Sequence, residues 1–279
     1  MLPAWAVSKA VPTFLESRKS LDADGGVRDR EAMTSSEMYD ATDAERYDAD
    51  NASTSTPEAL APMLDVLTDL ADGGPVLEFA SGTGRVTVPL ADRNVDVAGI
   101  ELSPHMTSKL HEKNKRIPVV VGDMATSTAP DTGSYSLVFL IFNTISNLRT
   151  QQEQVECFRN AARHLRPGGR FVIELWVPQL QRMAPGMPLA PMHFDDGYLV
   201  FDTYDLATQE CSSHHYRPSG DGSVRYGKGN FRYAWAPECD LMAQLAGLEF
   251  ESRWADWDRS PFTSASTSHV SVWRKPLSR

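Results

Sequence analysis

Three short stretches carry residues whose types and spacing could do chemistry. The first is Val76-Leu77-Glu78-Phe79-Ala80-Ser81-Gly82-Thr83-Gly84-Arg85, an apolar run with one acid that passes into a glycine turn. Gly82 and Gly84 let the backbone pass close to a bound group with no Cβ in the way. Free amides at the start of a following helix favour a negative group. The second is Glu101, 17 residues after Gly84, at the end of another apolar run. A carboxylate at the tip of the strand beside the glycine turn can accept both hydroxyls of a ribose. The third is Gly122-Asp123-Met124. One strand further along the same edge, its carboxylate can accept a hydrogen bond from the exocyclic amine of an adenine.

Strands that end on one side of a sheet are needed to build such an edge, and the apolar spacing predicts them. Thr56-Pro57-Glu58 reads as a cap followed by proline at the first helical position. Leu60, Met63, Leu64, Leu67 and Leu70 then recur at helical period until Gly73-Gly74. Strands are expected over 76–80, 95–100, 119–121, 137–142 and 171–175. Helices are expected to open at 86–90, at Ser103-Pro104, and over 151–165, the last stopped by Arg166-Pro167-Gly168-Gly169. Apolar strands alternating with helices mean a parallel sheet covered on both faces, with ligands at the carboxyl ends of the strands. After the fifth strand the period changes. Residues 199–204, 212–216 and 224–235 read as β segments joined by short turns, hence antiparallel. One more helix over 237–246 and two last strands over 248–254 and 269–273 complete the chain.

In these features the chain resembles the class I S-adenosylmethionine-dependent methyltransferases over residues 39–275. The resemblance rests on the glycine loop from Glu78 to Gly84, on Glu101, on Gly122-Asp123, on the strand after Ser136 and on Leu165-Arg166-Pro167-Gly168-Gly169. It implies an α/β fold: a Rossmann-like seven-stranded sheet with helices on both faces and an antiparallel β insert after the fifth strand. The corresponding organisation is a flexible N-terminal extension 1–36, a donor-binding core 37–177, a substrate insert 178–236, and a helix with the last two strands of the core in 237–279. Met33 stands just before the first organised segment, so the preceding residues read as an appendage or as an upstream reading of the start. The resemblance also implies that S-adenosyl-L-methionine is the cofactor. Its methionine part would lie against Glu78, Ala80, Gly82 and Gly84, its ribose against Glu101, and its adenine against Asp123 and Met124. Tyr39, Leu102 and Phe142 join the expected donor contacts, and Tyr39 and Tyr47 lie in the segment that folds over the cofactor in that family. A nicotinamide dinucleotide fits worse. Thr87 stands where its third glycine belongs, and Glu78 would face a pyrophosphate badly.

Methyl transfer from a sulfonium is an in-line displacement on carbon, so the protein mainly holds a nucleophile behind the methyl and excludes water. The acceptor pocket is expected above the fourth and fifth strands, with Asn143, Asn147, Trp176, His193, His214 and Trp257 as candidate walls. Phe142 and Trp176 read equally as core packing. Tyr47 and His269 are the candidate catalytic groups; His269, at the start of the last strand, is a base or else a surface histidine. Arg85 either meets the donor's carboxylate or pairs with a neighbouring acid. His105, His111 and His164 read as solvated helix residues. His214 and His215 are adjacent in a strand, so only one can face the pocket. The histidine spacing matches no metal pattern.

Length and composition bound the rest. The chain has 279 residues, 41% of them hydrophobic, and a net charge of -10, which disfavours a nucleic-acid partner. Acids also outnumber bases in 178–236, so the insert offers no basic track. No run approaches the roughly 18 apolar residues of a membrane span. Cys157, Cys211 and Cys239 are widely spaced, which suits a reducing cytoplasm. The expected partner is a small-molecule acceptor, with a homodimer as a further possibility through the aromatic-rich insert. The expected reaction is methylation of a small metabolite in secondary metabolism, N-methylation favoured through the resemblance to sugar and glycine N-methyltransferases. C-methylation of an electron-rich ring such as indole, O-methylation, and a non-catalytic cofactor-binding protein are the alternatives.

Overall fold

The computed structural model describes residues 39–180, 183–220 and 222–277, and before them two dipeptides. It divides into two units, Met1–Thr34 and Ser35–Arg279. In the first, β1 (Ser20–Leu21) pairs antiparallel with β2 (Val27–Arg28). The rest of the expected extension 1–36 lies outside the described residues.

The second unit carries the site. Asp40 caps α1 (Ala41–Asp50) by accepting the Asp43 amide, and Thr56 caps α2 (Pro57–Ala71) by accepting that of Ala59. The apolar stripe of α2 is buried as its period requires. Then follow β3 (Val76–Phe79), α3 (Thr87–Asp92), β4 (Val97–Glu101), α4 (Pro104–Lys113), β5 (Val119–Val121), β6 (Tyr135–Leu140), α5 (Gln151–His164) and β7 (Leu165–Trp176). Strands β3 to β7 are parallel. After the insert come α6 (Ala236–Leu245), β12 (Glu249–Trp254) and β13 (Ser268–Arg274); β13 runs antiparallel to β7 and β12 antiparallel to β13. The sheet order is β12-β13-β7-β6-β3-β4-β5. The alternation of apolar strands and helices predicts its parallel part, and the family resemblance implies the seven-stranded whole.

Alternation along β6 builds a core on each face. Leu137 and Phe139 pack with Leu60, Leu64 and Leu67 of α2, while Val138 and Leu140 pack with Phe158 of α5 and Met242 of α6. The chain leaves β3 toward β4 and β5, then returns to lay β6 on the other side of β3. That reversal opens a crevice at the carboxyl ends of the strands.

The insert is a four-stranded antiparallel sheet of β8 (Leu189–Asp195), β9 (Tyr198–Tyr204), β10 (Glu210–Pro218) and β11 (Val224–Arg232), in the order β11-β10-β9-β8. Sequence reading missed β8, because Pro191 and a bulge between Pro191 and His193 break its period of two. The last insert strand ends at Arg232 rather than 235, and Trp235 becomes the cap of α6. The stretch Arg166–Gly169 is likewise absorbed into β7, across an irregularity in its pairing with β6. Arg232 ties the insert to the core. Its guanidinium donates to Gln154 of α5 at 2.5 Å and to Glu238 of α6 at 2.8 Å, and the Gln154 amide donates to the carbonyls of Ile145, Leu148 and Arg232.

Candidate active site

The loop after β3 is wound into the left-handed region, with φ of 54° at Ala80, 55° at Gly82 and 83° at Gly84. The two glycines serve different ends. A Cβ on Gly82 would meet no atom within 4 Å, whereas one on Gly84 would meet Val88 Cγ2 at 2.8 Å and Leu110 Cγ at 2.9 Å. Gly82 therefore keeps open space free, and Gly84 lets the loop pack on α3 and α4. Ala80 adopts its strained conformation on the cleft wall.

Glu101 closes this loop from the neighbouring strand. It accepts the Gly82 amide on Oε2 and the Ser103 amide on Oε1, both at 2.8 Å. Burial raises its pKa, and the amides of Ser103, Gly82 and Leu102 oppose that. A carboxylate has about four lone-pair sites, so acceptor capacity remains for a pair of hydroxyls. Asp123 accepts the Ala125 amide on Oδ1 at 2.7 Å and lines the same edge. Beneath the loop, Glu78 is buried and accepts a bond from the Thr87 hydroxyl. Burial pushes its carboxyl up to about 8, against the opposing Thr87 bond and Arg85 charge. A cation nearby would favour its ionised form. Open space at Gly82, spare acceptor capacity on Glu101 and a buried acid suited to a cation together fit a nucleoside with a cationic amino-acid tail.

Helix α1 covers the loop. The Thr83 hydroxyl donates to Asp48 Oδ1 at 2.6 Å, and Lys113 pairs with Asp48 Oδ2 at 2.6 Å. The Ser103 hydroxyl donates to the Tyr39 carbonyl at 2.8 Å. Tyr39 and Tyr47 meet edge to face at 6.0 Å, and burial raises both hydroxyls, so both stay neutral donors.

Across from this edge, Phe142 and Asn143 also hold left-handed backbones, at φ of 57° and 60°. Glu174 keeps them there, accepting the Phe142 amide at 2.7 Å and the Trp257 indole N–H at 2.9 Å. Asn143 Oδ1 accepts the Trp176 amide at 3.2 Å, and the Phe142 and Trp176 rings meet edge to face at 5.8 Å. The inner face of the insert supplies the third wall: Asp202 and Tyr204 of β9, Ser213 and His215 of β10, and Phe231 of β11. Together these walls enclose a cavity of about 710 Å³. That lies within the roughly 300–1,000 Å³ typical of ligand sites.

Of the residues singled out in the sequence, Tyr39, Tyr47, Ala80, Gly82, Glu101, Leu102, Asp123, Met124, Phe142, Asn143, Asn147 and Trp176 line this one cavity. Others lie off its wall. Glu78 is beneath the loop, and Gly84 packs on the helices. Arg85 donates to the Thr54 carbonyl at 3.3 Å and sits 4.6 Å over the Phe142 ring. His193 is exposed beside Tyr198. His214 faces away, stacked on Phe201; its neighbour His215 lines the cavity instead. Alternation showed that one of the pair would face inward but not which. Trp257 is buried in the α2-side core with its indole on Glu174. His269 is neither a base on the cavity nor a surface residue. It is 1% exposed, packed on Phe262 and bonded to Ser271 Oγ at 2.8 Å, and burial lowers its pKa to about 4. His164, read as solvated, is also buried, with Nε2 accepting the Ala129 amide at 2.9 Å. Glu174, Asp202, Ser213 and His215 are among the cavity-building residues that sequence reading missed. They come from β7 and the insert, where a period of two marks strands without marking the inward face.

A family model described as a methyltransferase domain matches residues 76–169. The structure of the CcbJ methyltransferase from Streptomyces caelestis is 38% identical, with a TM-score of 0.69 over 77% of this chain and 88% of that one. The cypemycin N-terminal methyltransferase of a Streptomyces species is 27% identical over 86% of this chain and 98% of its own. The dTDP-4-amino-2,3,4,6-tetradeoxy-D-glucose N,N-dimethyltransferase of Saccharopolyspora spinosa is 32% identical over 54% of this chain and 60% of its own.

Proposed function

The chain belongs to the S-adenosylmethionine-dependent methyltransferases, and from that premise we propose that it methylates the nitrogen of a small, amine-bearing metabolite of secondary metabolism. The observation that carries the reading is the continuity of one cavity from Glu101 and Asp123 to the insert wall of Asp202, Ser213 and His215. Such a cavity has room for a donor at one end and an acceptor at the other. Two of the relatives are named for methylating the N-terminus of cypemycin and the nitrogen of an amino sugar nucleotide.

When bound, the donor supplies a methyl group already activated on a positively charged sulfur. In this reading the chain's own groups position and enclose. Glu101 accepts the ribose hydroxyls while staying fixed by the Gly82 and Ser103 amides. Asp123 orients the adenine. Tyr39 and Tyr47, neutral and packed on one another, cover the donor and exclude water. Phe142, Asn143 and Trp176 form the lip at which acceptor and donor meet, held by Glu174 so that little reorganisation is left for the reaction. Among the described residues, no helix is long and apolar enough to cross a membrane, and no group of three or more potential ligands could hold a metal ion. Buried cysteines 157, 211 and 239 suit the cytoplasm as the site of action.

The test is transfer of a radiolabelled methyl from the donor to pooled small metabolites, with and without prior acylation of their amines. Label lost on acylation is the expected result. Label that persists at full level after acylation would point to oxygen or carbon as acceptor and contradict N-methylation.

A further inference from the structure

Strands β9 and β10 face each other with Asp202 opposite Ser213, Val200 opposite His215 and Leu199 opposite Tyr216. Alternation puts Tyr198, Asp202, Ser213, His215 and Arg217 on one side of this pair, the side that lines the cavity. Their contacts form a single line. Arg217 Nη2 lies 3.2 Å from the Tyr198 hydroxyl, which lies 2.7 Å from His215 Nδ1. His215 Nε2 lies 3.1 Å from Ser213 Oγ, and the Ser213 hydroxyl favours the ionised Asp202 carboxylate.

The chemistry of the end group gives the line a direction. A guanidinium only donates, so Tyr198 accepts from Arg217 and its own proton serves His215 Nδ1. Burial and the Arg217 charge hold the imidazole neutral. Its proton then sits on Nε2 and is donated to Ser213, whose own hydroxyl proton is left to turn toward the Asp202 carboxylate. Every donor in the line points toward Asp202. Tyr204 adds a bond from its hydroxyl to Asp202 Oδ2 at 3.3 Å, yet Asp202 Oδ1 is buried with no partner. A buried carboxylate oxygen left unmet costs stability in the empty enzyme. Asp202 is only half-buried and lines the cavity, so a ligand there can reach its carboxylate and relieve that cost.

We propose that Asp202 anchors the methyl acceptor. It receives a hydrogen-bond donor, a hydroxyl or an ammonium, placed on the acceptor away from the atom that is methylated. The acceptor is therefore a bifunctional molecule and not a purely apolar amine. This deepens the N-methylation reading and rests on it only for which atom takes the methyl. Asp202 acts here by binding; Ser213, His215 and Tyr198 are positioning residues that set its hydrogen bonds.

The experiment uses the full chain saturated with S-adenosylhomocysteine and two matched probes, trans-4-aminocyclohexanol and cyclohexylamine, with binding read by calorimetry. The wild type is expected to bind the amino alcohol at least tenfold more tightly. In Asp202→Asn and Asp202→Leu that preference should fall below twofold, while affinity for S-adenosylhomocysteine stays within twofold. Asp202→Asn keeps an acceptor for Tyr204 and removes the desolvated charge, so its Tm without ligands should equal or exceed that of the wild type. Equal binding of the two probes, binding of neither, or a preference that survives both substitutions would overturn the anchor. A lower Tm in Asp202→Asn would mark a structural role and overturn it too. Labelled methyl transfer to the same probes separates the two readings. Discrimination in binding without transfer to nitrogen counts against N-methylation and leaves the anchor standing. Equal transfer to both probes overturns the anchor and leaves N-methylation standing.

Discussion

At the scale of single residues, the site depends on carboxylates held in contrasting surroundings. Glu101 is tied to two backbone amides, and in the proposed reading its remaining capacity is what a ribose would use. Glu101→Ala is expected to weaken donor binding by roughly 1.5–3 kcal/mol, the worth of a hydrogen bond to a charged group. Equilibrium dialysis would read this as a rise in Kd of about 10- to 150-fold. Glu78 brings a pH dependence. Burial raises its carboxyl from the ordinary 4.5 to about 8, so in the donor-free protein it is largely protonated at neutral pH. If the donor's cation lies beside it, as proposed, the ionised form is favoured, and below pH 8 donor binding would expel that proton. Donor affinity should therefore climb with pH, by about tenfold per unit at most, and level off above about 8. Glu78→Gln should flatten the profile; a wild-type profile already flat between pH 6 and 9 would contradict the role. The same shift has a converse for stability. Its contribution to the donor-free fold is fully present below 4.5 and is lost as the pH rises through about 8. The place of Glu101 on the cavity edge was legible in the sequence, because it ends the strand beside the glycine turn, whereas Glu78 lies buried beneath that turn, off the cavity wall. His269 and Trp257 were misread for the opposite reason. Their burial is decided by packing against Phe262 and Glu174, partners that no local pattern announces.

At the scale of elements, the parallel strands were legible as apolar runs bounded by turns, and their carboxyl ends put Glu101 and Asp123 on one edge. The insert was legible as antiparallel but not in detail. Pro191 hid β8, and no period could say that Asp202, Ser213 and His215 rather than Thr203, Ser212 and His214 face inward. How the insert is held was also invisible, because the knot of Arg232, Gln154 and Glu238 joins residues far apart in sequence. Arg232 is 5% exposed, so removing its side chain leaves Gln154 Oε1 without its donor and Glu238 without its cation. Arg232→Ala is expected to destabilise the protein by about 3–5 kcal/mol in urea unfolding. Donor affinity of the folded fraction should stay within about twofold, since β11 contributes nothing to the Glu101 edge. A loss under about 1 kcal/mol would show that the insert is held mainly by its apolar contacts with the core.

For the whole molecule, two sheets share one cavity. The seven-stranded sheet brings the Glu101–Asp123 edge, built at the reversal between β4 and β6, and the four-stranded insert brings a wall with its own polar line. The net charge of -10 disfavours a polyanionic partner. The central claim is that the donor lies against Gly82. A side chain added there meets no protein atom within 4 Å, so Gly82→Val tests the space with little repacking, its own cost being the left-handed backbone at φ 55°. The most direct measurement is a calorimetric titration of S-adenosylmethionine into the wild type and into Gly82→Val, with folding of both checked by near-UV circular dichroism. One-to-one binding by the wild type and no measurable binding by the folded variant is the expected result. A folded Gly82→Val protein that binds the donor as tightly as the wild type would contradict it.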